Sequence, residues 1–439
     1  MDKLEIKIAL SYKIPEKDLT INGILRGLQE DQNKLMRNMV KAILAAMEKK
    51  TIKENISRHP GRYYRHGKQP RERKIITSFG PIYYRLAQLY DRRTGNVFSP
   101  LVKKLSILPY KQYQREALEA AVGQVIHLSY RLGEKEVRRI KGYAPSKSTL
   151  HRCIKELANH FGQWPCYRNR SFKFLMVDGT KVKRQGPRGA PLDKAEMRWA
   201  LASEGVGRRF EPVGFWVDKD WGFICKDLSK RLDYKNLEVL FCDGGPGIEK
   251  NLLSEGMRSQ RCVWHGKRDF PFLLYQDGAK KKEQKPFRKL IDEILLFSLT
   301  REMVEELLPQ DKKVVVQLVE EIKTGLKKLI KALNPKKYPK TRAYIENFSK
   351  NALLVFEYWL EGKGWIPLTT NAIESAFSRI VNRIKRIGRR WSDEGLINWL
   401  MIAFRKIYKP VLWDELWTKY LEIHKQLRFS NLKISYAWI

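Results

Sequence analysis

Residues 172–180 read FKFLMVDGT, an apolar run with strand character that leads directly into Asp178 and Gly179. Residues 237–245 read LEVLFCDGG and repeat this arrangement at Asp243. Each Asp is therefore predicted to end a buried strand, where the glycine that follows lets a ligand approach the backbone closely. If the two strands are neighbours in one sheet, the two carboxylates can share hard divalent cations, which prefer oxygen ligands.

A third carboxylate, Glu374, lies in the segment TTNAIES at residues 369–375. Thr370 can cap a helix that presents Glu374 from its first turn. Three carboxylates on two strand ends and a helix are what a two-metal phosphoryl-transfer site requires. We therefore expect Asp178, Asp243 and Glu374 to be catalytic and to hold two Mg²⁺ or Mn²⁺ ions, roughly 4 Å apart. The alternative is that the Asp-Gly pairs are ordinary turns and that Glu374 only stabilises a helix start.

The chain is strongly basic, which predicts a polyanionic partner. Its 439 residues include 86 Lys and Arg against 48 Asp and Glu, a formal net charge of +38, and 43% of them are hydrophobic. A signal-peptide pattern and a run of about 18 apolar residues are both absent, so nucleic acid is favoured over a membrane. Five scattered cysteines without a C-x-x-C pair predict a reducing compartment. We expect a cytoplasmic, nucleoid-associated protein.

The region before residue 166 is predicted to be mainly helical with one small hairpin. The expected elements are a helix at 24–49, a basic linker at 57–74, strands at 74–79 and 82–90 around the turn Gly80-Pro81, and helices at 117–132, 134–140 and 146–160. The last three helices indicate a helix-turn-helix, in which Lys147, His151 and Arg152 face outward as on a groove-reading helix. An ordinary helical connector with a solvated basic face fits the same pattern.

Beyond residue 165 the pattern becomes mixed α/β. Predicted strands cover residues 172–177, 199–202, 212–217, 237–242 and 261–264. Almost unbroken helix rich in Lys and Glu follows from about 273 to 358, and one or two helices cover 370–408. We interpret the first of these helical stretches as an insertion into the α/β domain.

The motifs around the three carboxylates resemble the Mutator-like class of prokaryotic insertion-sequence transposases, which carry a catalytic Asp, Asp, Glu triad. The matching segments are MVDGT at 176–180, FCDG at 241–244, CVWH at 262–265, and TNAIES at 370–375 with the basic residues after it. CVWH is similar to the C-x-x-H motif that these families carry shortly after the second Asp. The resemblance implies a ribonuclease H-like core, a mixed sheet flanked by helices, with an all-helical insertion between the second Asp and the Glu.

The resemblance also implies an activity: metal-dependent cleavage at transposon ends, followed by strand transfer into target DNA without a covalent enzyme intermediate. Two DNA ends must be held together, so we expect a homodimer or a larger assembly. Two other functions stay open: a DNA-binding regulator or architectural protein derived from a transposase, and a related metal-dependent nuclease.

Cys262 and His265 are predicted to support the active site, the thiol buried beneath it and the imidazole near Asp243 or a DNA phosphate. The alternatives are half of a zinc site, for which no second Cys/His pair lies at a suitable spacing, and an ordinary core Cys with a surface His. DNA contacts are expected from basic positions in the helix-turn-helix, after Asp178 and after Glu374. These positions are Lys147, His151, Arg152, Lys183, Arg184, Arg379, Arg383, Lys385, Arg386, Arg389 and Arg390.

Together these patterns divide the chain into five predicted regions. They are an N-terminal helical and basic region at 1–70, a hairpin and helix-turn-helix DNA-binding region at 71–165, the first part of the core at 166–272, the helical insertion at 273–366, and C-terminal core helices carrying Glu374 at 367–439.

Overall fold

A computed structural model describes residues 20–108, 111–295, 311–387, 390–424 and 427. The chain divides into two units, one formed by the residues up to His160 together with those from Val411 onward, and the other by Phe161–Pro410. The fold is mixed α/β with a helical majority. Within the ranges given above, no helix is both long enough and apolar enough to cross a membrane.

The first unit combines one long helix with short strands and three further helices of ten residues or more. Its elements are α1 (Ile21–Arg58), β1 (Tyr63–Lys68), β2 (Arg73–Thr77), β3 (Gly80–Tyr84), β4 (Ala87–Asp91), β5 (Val97–Phe98), α2 (Pro100–Lys104), α3 (Arg115–His127), α4 (Tyr130–Lys141) and α5 (Lys147–Phe161). β1, β4 and β5 form one antiparallel sheet, and β2 and β3 form a hairpin.

The expected linker at 57–74 is wrong, because this segment holds the end of α1, all of β1 and the start of β2. β1 pairs antiparallel with β4. Tyr63 packs edge-on against Phe98, and Arg62 forms an ion pair with Asp91 at 2.8 Å. One aromatic and one paired Arg thus anchor a segment whose composition alone suggested a loop.

Two other boundaries in this unit differ from the prediction. The expected strand at 82–90 is two strands, β3 and β4, and the hairpin turn lies at residues 78–79, since β3 already begins at Gly80. The expected helix at 117–132 ends at His127, and α4 begins at Tyr130. Ser129 causes this break, because its hydroxyl accepts a hydrogen bond from the Leu132 amide and caps α4.

The second unit contains a five-stranded mixed sheet and the helices around it. Its elements are β6 (Phe174–Gln185), β7 (Pro191–Ser203), β8 (Glu211–Val217), α6 (Trp221–Arg231), β9 (Val239–Cys242), α7 (Ile248–Leu252), β10 (Arg258–Arg261), α8 (Val263–Gln276), α9 (Lys281–Ile294), α10 (Lys312–Ala332), α11 (Pro339–Asn351), α12 (Leu354–Leu360), α13 (Asn371–Val381), a π-helical turn (Asn382–Ile387) and α14 (Asp393–Tyr408). α15 (Pro410–Leu421) returns the chain to the first unit.

The strand order in this sheet is β10-β9-β6-β7-β8, with β6 at the centre. β7 is antiparallel to both of its neighbours, β6 and β8, whereas β9 runs parallel to β6 and β10 parallel to β9. Leu175 and Val177 of β6 face a core that includes Ile224 and Leu228 of α6. On the other face Trp199 of β7 contacts Phe377 of α13, so α6 and α13 cover opposite faces.

The prediction that Asp178 ends its strand is wrong. β6 continues for seven residues beyond it to Gln185, hydrogen-bonded to β7 over most of that length. The apolar run stops at Val177, but Val182 is buried and the polar residues around it alternate toward solvent. A strand that is held by hydrogen bonds to its partner, and is not buried on both faces, does not need a continuous run of apolar residues.

The last predicted strand is also displaced, because β10 covers Arg258–Arg261 and the next residues begin α8. Although β10 is buried, its side chains are polar, and they form hydrogen bonds with specific partners. Gln260 donates to the Ala352 carbonyl at 3.0 Å, and Arg261 donates two hydrogen bonds to Glu249 at 2.8 and 2.6 Å.

The predicted helical stretch at 273–358 is helical but broken into the end of α8 and helices α9 to α12. Its residues 296–310 lie outside the described part of the chain. The stretch at 370–408 consists of α13, the π-helical turn and α14.

Candidate active site

Strand register brings Asp178 and Asp243 to the same level of the sheet. β6 and β9 are parallel, and Met176 pairs with Phe241. Two residues further along lie Asp178, within β6, and Asp243, directly after the end of β9, so the register directs both carboxylates to the same face. Each is held by a nearby backbone amide: Asp178 Oδ1 accepts from Gly179 at 2.7 Å, and Asp243 Oδ1 accepts from the amide two residues ahead at 2.8 Å.

The carboxylate of Asp178 is electrostatically coupled to the other two acids. Burial raises the pKa of Asp178 to about 6, and the negative charges of Asp243 and Glu374 add to this rise. Like charges disfavour ionisation only when they are near one another. The charges of Asp243 and Glu374 thus both act on the carboxylate of Asp178.

Glu374 reaches this site from the first turn of α13, as the sequence indicated. Its Oε1 lies 3.8 Å from His265 Nε2. Thr370 stands at the N-cap position, but its side chain makes no capping hydrogen bond, which corrects the expectation. The hydroxyl instead lies 3.3 Å from His265 Nδ1, and the Thr370 amide donates to Cys262 Sγ at 3.3 Å.

Cys262 and His265 at the start of α8 therefore hold the start of the helix that carries Glu374. Burial alone would raise the pKa of the Cys262 thiol, but hydrogen bonds from His265 and Thr370 outweigh burial and lower it. Burial alone would lower the pKa of His265, but its hydrogen bond with Cys262 raises it. Each group thus shifts the pKa of the other toward its charged form.

Metal binding was expected at the three acids. As they stand, no three His, Cys, Asp or Glu side chains in the described ranges are grouped closely enough to hold an ion. The donor chemistry nevertheless fits a hard divalent cation, because the acids supply oxygen ligands. Burial, with added repulsion from Asp243 and Glu374, disfavours the charge of Asp178, and a bound cation would offset both effects.

Two basic side chains flank the acids. Lys385, which was predicted to contact DNA, donates to Thr180 Oγ1 at 2.5 Å; burial lowers its pKa and Asp178 opposes that shift. Arg268 was missed by the sequence reasoning. A hydrogen bond to Asp269 raises the pKa of Arg268, and the charges of Glu374 and Asp178 raise it further. Its position three residues after the C-x-x-H histidine, on the same helical face, was the available signal.

In the first unit, α5 has the two faces that the sequence predicted. Leu150 and Ile154 are buried, whereas Lys147, His151 and Arg152 are exposed. This arrangement is compatible with a groove-reading helix and equally with a solvated connector.

The other predicted DNA contacts have different environments. Lys183, Arg386 and Arg390 are exposed. Arg184 is held by two carboxylates, Asp393 and Asp218, the second at 3.0 Å, so its charge is already compensated. The position predicted at residue 389 lies outside the described part of the chain.

Among the predicted DNA contacts, Arg383 has the environment that differs most from the prediction. Its side chain is buried, with the guanidinium 4.4 Å from the ring of Trp391 and 5.8 Å from that of Trp399. It lies in the π-helical turn, where the angular spacing of side chains departs from that of an α-helix. A basic run therefore contains one residue that packs inward and stabilises the fold.

Comparison with known proteins finds one family model that matches less than half of the chain, and that family has no characterised activity. The model of an uncharacterised protein family (UPF0236) matches residues 15–205, a segment that includes Asp178 but neither Asp243 nor Glu374. No curated protein matches the chain. Among solved structures, a chain of the Drosophila P element transposase strand transfer complex is similar with a TM-score of 0.37 and 12% identity, over 71% of this chain and 98% of that chain. This structural likeness is too weak to carry an argument.

Proposed function

We propose that the chain is a DNA transposase of the Mutator-like class that cleaves and joins phosphodiester bonds at Asp178, Asp243 and Glu374. One observation carries the proposal: two carboxylates stand at matching levels of neighbouring parallel strands, and a third couples to them from a helix. Such a set is suited to metal-assisted phosphoryl transfer.

The sheet topology supports a ribonuclease H-like core. Three antiparallel strands, β6 to β8, precede two parallel strands, β9 and β10, and the carboxylates of Asp178 and Asp243 come from β6 and the end of β9. The helices between β10 and α13 correspond to the insertion that we assign to residues 273–366. This topology also explains how a residue 131 positions after Asp243 can share its site.

The three carboxylates would hold two Mg²⁺ or Mn²⁺ ions. When bound, such ions activate the attacking hydroxyl and stabilise the leaving oxygen. The side chain of Glu374 is 44% exposed, which leaves room for a change of rotamer toward the other two acids. His265 and Thr370 keep the first turn of α13 in place during that change.

The chain's own cations would position the phosphate. Lys385 lies beside Asp178, and the negative charges of Glu374 and Asp178 both raise the pKa of Arg268. Their charges would offset the negative charge of the scissile phosphate next to three acids. Water attack would cut the element end, and the 3'-hydroxyl that is released would then attack target DNA.

The partners that follow from this proposal are double-stranded DNA, both element ends and target, and a second copy of the chain to hold paired ends. A nucleoid-associated location is part of the same proposal. The net charge of +38 supports a DNA partner.

The test is cleavage of DNA that contains the element's flanking ends by the purified chain with Mg²⁺ or Mn²⁺. Glu374→Gln should lower nicking and joining at least about 1000-fold, because loss of a metal ligand removes several kcal/mol of transition-state stabilisation. Glu255→Gln is the matched control, since Glu255 is exposed and outside the site. DNA binding should be equal in the three proteins.

Each other outcome points elsewhere. Full nicking by Glu374→Gln would disprove the triad. Cut ends that are never joined indicate a nuclease. Salt-sensitive binding without nicking by any of the proteins, with either metal, indicates a DNA-binding regulator.

A further inference from the structure

A groove of about 770 Å³ lies on the second unit between the β7–β8 turn, α13 and the end of α14. Four arginines line it: Arg170, Arg208, Arg209 and Arg379. They come from three places in the chain, the segment before β6, the β7–β8 turn and α13. Their convergence is therefore a product of the fold and does not follow from a basic run in the sequence.

Three of these arginines are uncompensated. Arg170 is held by Glu204 at 2.8 Å and by Glu211. By contrast, no carboxylate in the described ranges forms an ion pair with Arg208, Arg209 or Arg379. Arg208 and Arg209 are exposed on the turn, and the Arg379 guanidinium lies 5.2 Å from the ring of Tyr408, which fixes its direction. The groove thus presents three guanidinium groups to an anion.

The wall of the groove that α13 forms is made of small residues. Ala372, Ser375 and Ala376 line it one helical turn apart, with Arg379 on the next turn. Side chains of this size let a rod-shaped ligand lie close against the helix. At about 100° per residue this face points away from Glu374, which lies on the opposite side of α13.

Strand register gives the distance from the groove to the acids. Trp199 of β7 pairs with Asp178, and Ala202, three residues further on, pairs with Glu211, which lines the groove. Three strand residues span about 10 Å along the sheet, and β8, which carries Glu211, lies two strands or about 10 Å to the side of β6. The two offsets combine to about 14 Å, which equals about four base pairs at about 3.4 Å of rise per base pair.

We propose that this groove binds the phosphodiester backbone of DNA about four nucleotides from the scissile phosphate, through Arg208, Arg209 and Arg379. Guanidinium groups bind phosphate in a bidentate manner, which suits them to this role better than a diffuse positive surface would. The assignment of the scissile phosphate rests on the proposed function, whereas binding of DNA in the groove does not.

The test is binding of a fluorescein-labelled 40-base-pair duplex to the full-length protein at several salt concentrations. Arg208→Gln with Arg209→Gln should weaken binding about 10-fold and lower the salt slope by about 2, since each phosphate contact contributes about 0.9 to that slope. The matched control is Lys230→Gln with Lys235→Gln, which removes the same charge from exposed positions near α6, on the other face of the sheet. The control pair should keep the slope of the wild type.

Ser375→Trp provides a second arm, because it fills the groove without a change in charge. It should weaken binding as strongly as the arginine pair. Equal losses in the arginine pair and the lysine pair would reduce the groove to one part of a general basic field and overturn the proposal. Wild-type affinity in Ser375→Trp together with weak binding by the arginine pair would place the contact outside the groove and also overturn it.

The groove proposal and the proposed function can each fail without the other. A protein that needs the groove for binding but never cuts DNA disproves the transposase proposal alone. A protein that cuts DNA in a Glu374-dependent way, yet binds equally well without Arg208 and Arg209, disproves the groove alone.

Discussion

Replacement of Asp178 by Asn should make the metal-free protein more stable at neutral pH. Asn has the shape of Asp, and its Oδ1 can still accept the hydrogen bond from the Gly179 amide. The substitution removes a charge that burial and two neighbouring acids disfavour. The same replacement at an ordinary exposed Asp would give no such gain in stability.

The size of the effect follows from the pKa. The pKa of Asp178 rises from 3.8 to about 6 on folding, which corresponds to at most about 3 kcal/mol because a tenfold change in proton affinity is worth about 1.4 kcal/mol. Solvent screening at this partly exposed carboxylate lowers the expectation to about 1–2 kcal/mol. A raised Asp pKa contributes stability that is present below pH 3.8 and is lost as the pH rises through about 6. The gain from Asn should therefore be full at pH 7.5 and much smaller at pH 4.5.

The measurement is urea unfolding with EDTA, followed by tryptophan fluorescence, at both pH values. Asp193→Asn, an exposed position on β7, is the control and should change neither curve. A gain that does not depend on pH, or a loss of stability at pH 7.5, would refute the coupling of the three acids. Addition of Mg²⁺ should stabilise the wild type more than Asp178→Asn, because the cation binds the folded state through the charge that Asn lacks.

Three further changes test the surroundings of the site. Gly244→Ala should lower the unfolding free energy by about 2–4 kcal/mol, since Gly244 has a φ of +88° and a Cβ there would overlap the Arg261 guanidinium. Thermal unfolding measures this loss, and an unchanged stability would contradict the close packing of Gly244 against Arg261. Arg383→Ala should lower the unfolding free energy by at least about 2 kcal/mol, because the buried guanidinium lies against two tryptophan rings. Arg386→Ala should leave the melting temperature unchanged and weaken only DNA binding. Cys262→Ala should cost about 1–2 kcal/mol by removing the acceptor of the Thr370 amide, and an unchanged melting temperature would argue against that anchor.

The sequence predicted three candidate acids by their order, and the structure places Asp178 in a strand, Asp243 directly after a strand and Glu374 in the first turn of a helix. It did so because apolar runs before Asp178 and Asp243 identify buried strands without any knowledge of their pairing. The length of β6 was not predictable in the same way. Its second half is polar and is held by hydrogen bonds to β7, which depend on the partner strand and leave no apolar run.

The contacts around the acids depend on how the helices pack against one another, which the spacing of residues in the sequence does not show. The spacing of Cys262 and His265 indicated a functional pair, but their shared hold on Thr370 required the approach of α8 to α13. Arg383 looked like one more DNA contact in a basic run. Its burial depends on a π-helical turn and on Trp391, eight positions further on, so a regular 3.6-residue pattern assigned it to the wrong face.

The extension of β6 beyond Asp178 has a dynamic consequence. Asp178 lies inside a hairpin of 12 and 13 residues at the centre of the sheet, so its amide should exchange with deuterium only when the whole unit unfolds. Glu374 lies in the first turn of an 11-residue helix whose start is held by Cys262 and His265, but its own side chain is 44% exposed. That side chain can therefore change rotamer without any opening of the helix. The site joins an acid on a rigid strand to one whose carboxylate can move while the backbone stays folded.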